Sequence, residues 1–468
     1  MAGSTHAHQN PLSVSLSKLV ARVNFDDLPE EVIKTTKKSI LDTLAVSWAA
    51  TEHADVAQLV PFVVNFAAGE DSTVWAVGGK APAGYAALAN GILAAALDFD
   101  SLQGDALVHA DICVLPAAFA IAERQGSSGK ELLAAAALGT EMASRLGLSA
   151  QGHTGWFYTS IFGCFGAAVA AAKLLGLGED GIRDAISIVM SRVAGTQQPN
   201  IERASTKRMQ SAFAAQAGVE AALLASAGLR GPVGAIDGKF GLFSMYEHGV
   251  SEIVLDGFGE NYLITRTSFK EYPCCACSHA AIEATLALVE NEQFKADEIS
   301  KINVSITPYM YRLVGEPFDP SENPTVSGQF SVRYAVAAVL LRGEFGVADI
   351  LPEMVTAPDV GSLANLVDVT TYTDETGRLT PAEVSVTLQD GKTHSRRIDC
   401  VTGSPKTPLS DAKFENKIAK CISRGHFALS SDQHSRMMQM IATLESLDNV
   451  QALFPRILQG DKAYEIAG

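Results

Sequence analysis

The sequence predicts a mainly helical protein with a smaller α+β second domain, and three observations support this prediction. The first half is rich in alanine, and its apolar residues recur at the spacing of a buried helix face. From about residue 266 the pattern changes to short segments of alternating apolar and polar residues, which is typical of half-buried strands. After Gly403 the helical spacing returns. A chain of 468 residues is also longer than a single hydrophobic core usually accommodates, which favours two domains.

The first helical region is assigned to residues 1–265 and is expected to be all-helical. Apolar residues recur at helical spacing over residues 33–48, so one face of this segment is predicted to be buried. Ser128 and Glu131 form a capping box in front of an alanine-rich helix. Residues 161–172 are continuously apolar, but this stretch is too short to cross a bilayer and predicts a buried helix.

The second region, residues 266–403, is predicted to combine strands and a helix. Asp390 and Gly391 form a strong hairpin signal, and residues 330–341 form an apolar helical segment. The predicted strands are 302–306, 384–388 and the returning strand 395–400.

The last region, residues 404–468, returns to helix, with predicted helices at 411–422 and 433–447. We expect these helices to pack back on the first region, which would make the helical domain discontinuous.

The overall charge restricts the classes of partner. A net charge of −16 and a pI near 5.1 argue against nucleic-acid binding, which needs clustered cations. An acidic protein that binds an acidic ligand must gather its cations inside the pocket. Residues 1–11 lack the basic start and apolar run of a secretory signal, and seven cysteines are ordinary usage. We therefore expect a cytoplasmic protein with reduced thiols and no membrane segment.

Two aspartates, Asp98 and Asp100, follow an alanine-rich helix and precede His109. Carboxylates in such a loop can orient an imidazole or serve as bases. The alternative is that they only cap the next helix.

Three cations occur within six residues at Arg203, Lys207 and Arg208. They are candidates for a carboxylate clamp, in which arginine binds in a bidentate manner and lysine acts as a point charge. A desolvated lysine among cations can also act as a base. The alternative is an exposed basic loop.

A cluster of three cysteines precedes His279, at Cys274, Cys275 and Cys277. Its spacing does not match the usual zinc clip, so we expect no metal. His279 is a pocket candidate at a helix start, and a buried structural histidine is the alternative. An aromatic loop with His153 and Tyr158 either walls a pocket or belongs to the core.

Several short motifs follow one another in a characteristic order and spacing. They are Leu41-Asp42-Thr43-Leu44, Leu97-Asp98-Phe99-Asp100 with His109, residues 163–177, Thr206-Lys207 with the following helix, residues 238–243, Phe269-Lys270 with Tyr272-Pro273 and His279, and Tyr311 with Pro317-Phe318. Together they resemble the MmgE/PrpD family, whose members include 2-methylcitrate dehydratase, cis-aconitate decarboxylase and iminodisuccinate epimerase, over roughly residues 15–420. The resemblance implies a large helical domain, a smaller α+β domain, a cleft between them, a homodimer, no cofactor and a small polycarboxylate substrate.

The resemblance also implies which side chains form the pocket. The family positions fall on Asp98, His109, Lys207, His279 and Tyr311, with Asp98 and His109 in acid–base roles. Lys207 would hold a carboxylate or move a proton. To these we add Tyr158 as a second proton-transfer group, and Arg203 and Arg208 as substrate-binding residues.

Two departures from the family pattern decide which reaction the sequence favours. Lyases of the family tend to carry threonine and histidine where this chain has Leu102 and Phe157. Those losses remove groups that protonate a leaving hydroxide or a carbanion, but they leave bases for a proton exchange. We therefore favour epimerisation of an iminodisuccinate-like dicarboxylate, with a lyase as the alternative. A non-catalytic protein that binds small acids, or a scaffold, is the third possibility.

Overall fold

The computed structural model of the protein describes residues 10–66, 68–292 and 294–458. The first region is built from helices, and the predicted capping box forms, because the Ser128 hydroxyl accepts a hydrogen bond from the Glu131 N–H. The helices are α1 (Leu12–Arg22), α2 (Glu30–Ala49), α3 (Ala54–Phe66), α4 (Ala83–Ala95), α5 (Asp111–Gln125), α6 (Gly129–Ser149), α7 (Tyr158–Leu174), α8 (Glu179–Val189), α9 (Gln198–Ile201), α10 (Thr206–Ser226), α11 (Leu242–Met245) and α12 (Ser251–Leu255).

Small residues let the central helices α4, α7 and α10 approach closely. A Cβ atom on Gly91 of α4 would lie 2.7 Å from the Cα of Ala212 on α10. A Cβ atom on Gly218 of α10 would lie 2.4 Å from the Cβ of Ala167 on α7. Both distances are shorter than real contacts allow, so these crossings depend on glycine. The crossing of α4 and α10 matters for function because both helices lead into the candidate site.

A short strand pair corrects the prediction that the first region is all-helical. Strands β1 (Ser72–Thr73) and β2 (Lys80–Ala81) pair in antiparallel fashion between α3 and α4. Gly78 and Gly79 both have positive φ in the connecting turn, a conformation that glycine adopts without strain. Two residues per strand are too few to give a periodic pattern in the sequence.

The second region contains a mixed four-stranded sheet, as the α+β prediction requires. The strands are β3 (Ile299–Ile306), β4 (Val367–Thr371), β5 (Ala382–Leu388) and β6 (Thr393–Ile398), and the helices are α13 (His279–Asn291), α14 (Pro308–Met310), α15 (Pro324–Gln329), α16 (Val332–Arg342), α17 (Pro352–Val355) and α18 (Pro358–Ala364). The strand order is β4-β3-β5-β6, with β3 parallel to β4 and the other pairs antiparallel.

The alternation read from the sequence matches one buried face of this sheet. In β5, Ala382, Val384, Val386 and Leu388 are buried while the residues between them are partly exposed. Helices α13 and α16 pack together, and α13 covers β5 and β6. The predicted strands correspond to β3, β5 and β6, whereas the prediction omitted β4.

The C-terminal segment contains α19 (Asp411–Ile422), α20 (Ser431–Ala442) and α21 (Leu453–Ile457). Helices α19 and α20 contact α2 of the first region. The division of the chain into three regions, 1–265, 266–403 and 404–468, remains a prediction. Within the described ranges, none of the helices has the length and apolar character needed to cross a membrane.

Candidate active site

Two connected cavities lie where the helical region meets the α+β region. The inner cavity has a volume of about 90 Å³, and the outer cavity about 830 Å³. Side chains from both regions line the inner cavity, so each region contributes to the site. The residues common to both cavities are His153, Trp156, Gln197, Asn200, Tyr309 and Leu313.

Asp98 lies at the inner end, where the chain turns after α4. Its φ of 50° is left-handed, a conformation that aspartate tolerates better than most residues. One carboxylate oxygen pairs with the Lys207 ammonium. The other lies 3.0 Å from Nζ of Lys270, which also donates a 2.7 Å hydrogen bond to the Asp98 carbonyl. Asp98 is thus a bridge between two cations and does not cap α5, which begins at Asp111.

The two lysines keep Asp98 ionised. Burial raises the pKa of Asp98, but the ammonium groups of Lys207 and Lys270 hold it well below its ordinary value. Burial lowers the pKa of Lys270, and the carboxylates of Asp98 and Asp100 more than offset this and raise it. Lys207 lines the inner cavity, so its ammonium group, paired with Asp98, is the cation that an anionic ligand would meet there.

His109 forms a dyad with Asp100. The Nδ1 atom of His109 lies 2.7 Å from a carboxylate oxygen of Asp100, whose side chain is only 2% exposed. The backbone N–H of His109 donates to the Thr159 hydroxyl at 3.1 Å. Burial raises the pKa of Asp100, but His109 and Lys270 lower it below its ordinary value. An ionised Asp100 places the imidazole proton on Nδ1 and leaves Nε2 for the cavity that His109 lines.

The loop that carries both aspartates is held from behind by other buried side chains. Lys417 of α19 donates a 2.8 Å hydrogen bond to the Phe99 carbonyl and pairs with Asp42 of α2 at 2.6 Å. The Ser101 hydroxyl donates to Asp111 at 2.5 Å. Each residue from position 98 to 101 therefore has its own partner, and the partners come from well-separated parts of the sequence.

The three cations predicted as a clamp face different directions. Lys207 and Arg208 are consecutive in the first turn of α10, so their side chains diverge by about 100° around the helix. Lys207 reaches the inner cavity. Arg208 is buried away from it, where its guanidinium donates to Asp55 at 2.6 Å, and burial lowers its pKa to about 10. Arg208 therefore lines neither cavity and forms a buried ion pair instead, and its predicted part in substrate binding stays untested.

Arg203 lines the outer cavity. It is partly buried, its guanidinium lies 5.9 Å from the Phe330 ring centroid, and burial lowers its pKa. Its φ of 53° is left-handed, as are those of His153 and Leu107. Four of the five non-glycine residues with positive φ among the described ones line the two cavities. Such conformations cost about 1–3 kcal/mol each and cluster at functional sites.

One part of the inner cavity wall is aromatic. Tyr158 stacks on His153 with ring centroids 4.7 Å apart. The buried carboxylate of Glu247 accepts hydrogen bonds from the backbone N–H groups of His153 and Thr154, which fixes this loop. Burial and the nearby Glu247 raise the pKa of Tyr158 well above its ordinary value. Tyr158 therefore keeps its proton and can act only as a donor.

Besides Arg208, two further predicted pocket residues do not line either cavity. His279 is 2% exposed, and its Nε2 lies 3.3 Å from the Cys274 carbonyl. Burial lowers its pKa to about 3, so it is neutral, which fits the structural alternative. Tyr311 packs over Gly315 in a π turn, Tyr311–Gly315. The preceding tyrosine, Tyr309, lies in both cavity walls.

The structure also adds residues that sequence reasoning did not select. Lys270 belongs to one of the motifs that resemble the family, but a single lysine two residues before Tyr272-Pro273 does not by itself indicate a chemical role. Leu102 and Phe157, the two departures from the family pattern, do line the inner cavity. The described residues include no group of three or more histidine, cysteine or acidic side chains placed to hold a metal ion.

Comparison with known proteins gives the family. The MmgE/PrpD N-terminal domain matches residues 14–252, and the MmgE/PrpD C-terminal domain matches residues 272–444. Cis-aconitate decarboxylase of Mus musculus is 28% identical over 97% of this chain and 94% of the mouse protein. The Homo sapiens protein of the same name is 28% identical over 97% of this chain and 96% of its own. The Aspergillus terreus (strain NIH 2624 / FGSC A1156) protein is 26% identical over 92% of each. The chain thus belongs to the MmgE/PrpD family.

Proposed function

We propose that this protein is an acid–base enzyme that breaks a bond next to a carboxylate in a small di- or tricarboxylate, with a lyase reaction as the first candidate. The observation that carries the proposal is the pairing of Asp98 with Lys207 and Lys270 beside the Asp100–His109 dyad. This arrangement supplies a fixed ammonium group for a carboxylate and, next to it, a group that moves protons.

The Lys207 ammonium group binds and orients the substrate. Lys207 faces the inner cavity, and its partner Asp98 is already shared with Lys270. A substrate carboxylate can therefore take a hydrogen bond from Lys207 without leaving Asp98 unpaired in the interior, which would be costly. Lys207 also lies 4.9 Å from the Phe330 ring centroid, so its environment is partly apolar, and the attraction between unlike charges is stronger there than in water.

The dyad and the aromatic wall handle the protons. His109 can take a proton from the substrate or return one, while Asp100 stabilises the imidazolium that forms. Tyr158 can donate a proton to a carbanion from the aromatic wall. In a decarboxylation, the bond to the departing carboxylate breaks, its electron pair stays on the carbon, and one of these donors protonates that carbon.

A lyase is favoured over the epimerase that the sequence favoured, because the relatives reported above are decarboxylases. Epimerisation remains the second candidate, and one observation supports it. Leu102 and Phe157 make the inner wall apolar where lyases of the family tend to carry polar groups. An epimerase needs a donor and an acceptor on opposite faces and no acid for a leaving group, and Tyr158 with His109 can supply such a pair.

Proton NMR in D₂O distinguishes these reactions. The protein is incubated separately with cis-aconitate, 2-methylcitrate and iminodisuccinate. Loss of carbon dioxide from cis-aconitate with deuterium in the product supports the decarboxylase, and an alkene formed from 2-methylcitrate supports a dehydratase. Deuterium at the alpha carbon of iminodisuccinate with loss of optical rotation supports the epimerase. Measurable binding of all three acids without any exchange contradicts an enzymatic role and supports the acid-binding alternative.

Two further expectations stay predictions. Activity that survives exhaustive treatment with a chelator would agree with the expected absence of a metal. Sedimentation of the purified protein at a mass of twice 49.4 kDa would agree with the homodimer that the family resemblance implies.

A further inference from the structure

The three cysteines before α13 occupy different environments. Cys274 is fully buried, and Cys277 is 2% exposed. Cys275 is partly exposed, and both Cys275 and Cys277 line the inner cavity. The same cavity contains Lys207 and His109. The cluster therefore presents one accessible thiol, with a second thiol beside it, to the space where a carboxylate ligand is expected.

The surroundings of Cys275 favour its thiolate form. The neighbouring Cys277 lowers the pKa of Cys275, and the Lys270 ammonium adds to the effect. These contributions outweigh burial and the negative charge of Asp98, which act in the opposite direction. The thiolate is the nucleophilic form of cysteine, and reactive cysteines are found in partly exposed, electropositive sites of this kind.

We propose that Cys275 is a nucleophilic thiol that forms covalent adducts with small carboxylates bearing an electrophilic carbon. The class includes α-haloacids and α,β-unsaturated dicarboxylates. The inference rests on the proposed function only in taking Lys207 as the cation that holds the carboxylate. Such adducts would block the cavity, so compounds of this class would inactivate the protein.

The chemistry needs no further reactant. With an α-haloacid, the Cys275 sulfur forms a bond to the α-carbon and the halide leaves. With an unsaturated dicarboxylate, the sulfur bonds to the β-carbon, the π bond breaks, and its electron pair moves to the α-carbon. That carbon takes a proton from water, which leaves a thioether.

The test compares two alkylating reagents that differ in charge. The native protein is treated with iodoacetate or with iodoacetamide, and peptide mass spectrometry gives the rate at each cysteine. Cys400 is the internal control, because it is also partly exposed but lies outside both cavities, where it contacts Ser404 and Thr407. We expect Cys275 to react before Cys400. The ratio of the iodoacetate rate to the iodoacetamide rate should be at least about tenfold higher at Cys275, because the cations concentrate the anionic reagent.

Variants separate this proposal from the proposed function. Lys207→Met should reduce the preference for iodoacetate at Cys275, and Cys275→Ser should remove the adduct while Cys400 still reacts. Maleate should then give a dicarboxylate adduct at Cys275 in the unsubstituted protein and none in Cys275→Ser. Faster labelling of Cys400, or equal reagent ratios at the two cysteines, would overturn the proposal. Labelling needs no turnover, so it can succeed in a protein that is inactive on every acid tested, and activity without labelling overturns only this inference.

Discussion

The inner end of the cavity and its outer mouth are built by different means. At the inner end, the side chains of Asp98, Lys270 and Asp100 are each at most 6% exposed, and every one is paired with an ionisable side chain. At the mouth, exposed residues of both signs, such as Arg312 and Asp319, surround a much larger space. Charges at the mouth are screened by salt, whereas those at the inner end are screened much less.

This difference separates two tasks. A buried and mutually paired set of charges keeps its geometry and ionisation, as proton transfer at a carbon requires. A solvated rim tolerates changes of side chain and selects among ligands with little effect on the chemical step. We therefore expect substitutions at the inner end to lower kcat and substitutions at the mouth to alter KM. The predictions below test this division, beginning with the largest effect.

Lys207→Met should have the largest effect, because it removes the cation that meets the substrate while leaving the shape of the side chain. We expect kcat/KM to fall by about a thousandfold, within the range for charge-stabilising and acid–base groups. Steady-state kinetics on the acid identified by NMR measures the loss, and thermal unfolding shows whether the fold persists.

Lys239→Met is the matched control, because Lys239 is exposed and belongs to neither cavity. It should leave kcat/KM within about twofold, as is usual for a surface charge. Full activity in Lys207→Met would contradict the assignment of the inner end as the reactive site.

Asp100→Asn tests the dyad with little change in shape. An amide in this position can no longer stabilise the imidazolium and can hold His109 in the wrong tautomer. We expect kcat to fall by about a hundredfold, with KM changed little. A kcat within about threefold of that of the unsubstituted protein would mean that Asp100 has only a structural role.

The sequence predicted most of the fold because its signals are local. Periodic apolar residues and the alternation over β5 report which face of an element is buried, and both are visible without tertiary information. Strand β4 was omitted because five residues with a weak pattern become a strand through parallel pairing with β3, a contact distant in sequence. The β1–β2 pair was omitted for the same reason, since its length leaves no periodicity.

The site was predicted less completely because it depends on direction and depth. Asp98, His109 and Lys207 do line one cavity, but nothing in a run of basic residues tells which side chain faces inwards. Lys207 and Arg208 are neighbours in sequence, but only Lys207 faces the inner cavity, because the turn of α10 points their side chains in different directions. Lys270 was not selected for the same reason, as its role depends on Asp98, a residue 172 positions earlier.

Arg203→Ala tests the mouth. Arg203 lies in the outer cavity, where its nearby carboxylate, Glu316, is exposed, so its loss should weaken attraction of an anionic substrate without disturbing the dyad. We expect KM to rise by about tenfold while kcat stays within about twofold. Added salt should raise KM of the unsubstituted protein more than that of the variant. A fall in kcat comparable to that of Asp100→Asn would break the proposed division between the two ends.

His279→Gln has the smallest expected effect and tests whether this histidine belongs to the inner end or to the packing behind it. With a pKa of about 3 in the fold, His279 stays neutral where the unfolded chain takes up a proton. The stability it contributes is therefore present above pH 6.5 and is lost as the pH falls towards 3. Between pH 7.5 and 5.5, urea unfolding should show that the free energy of unfolding falls by about 1.4 kcal/mol more in the unsubstituted protein than in the variant.

His248→Gln, at an exposed position, is the control and should behave like the unsubstituted protein. Since His279 lines neither cavity, kcat at neutral pH should stay within about threefold. A fall of about a hundredfold would instead place His279 among the groups that act on the substrate.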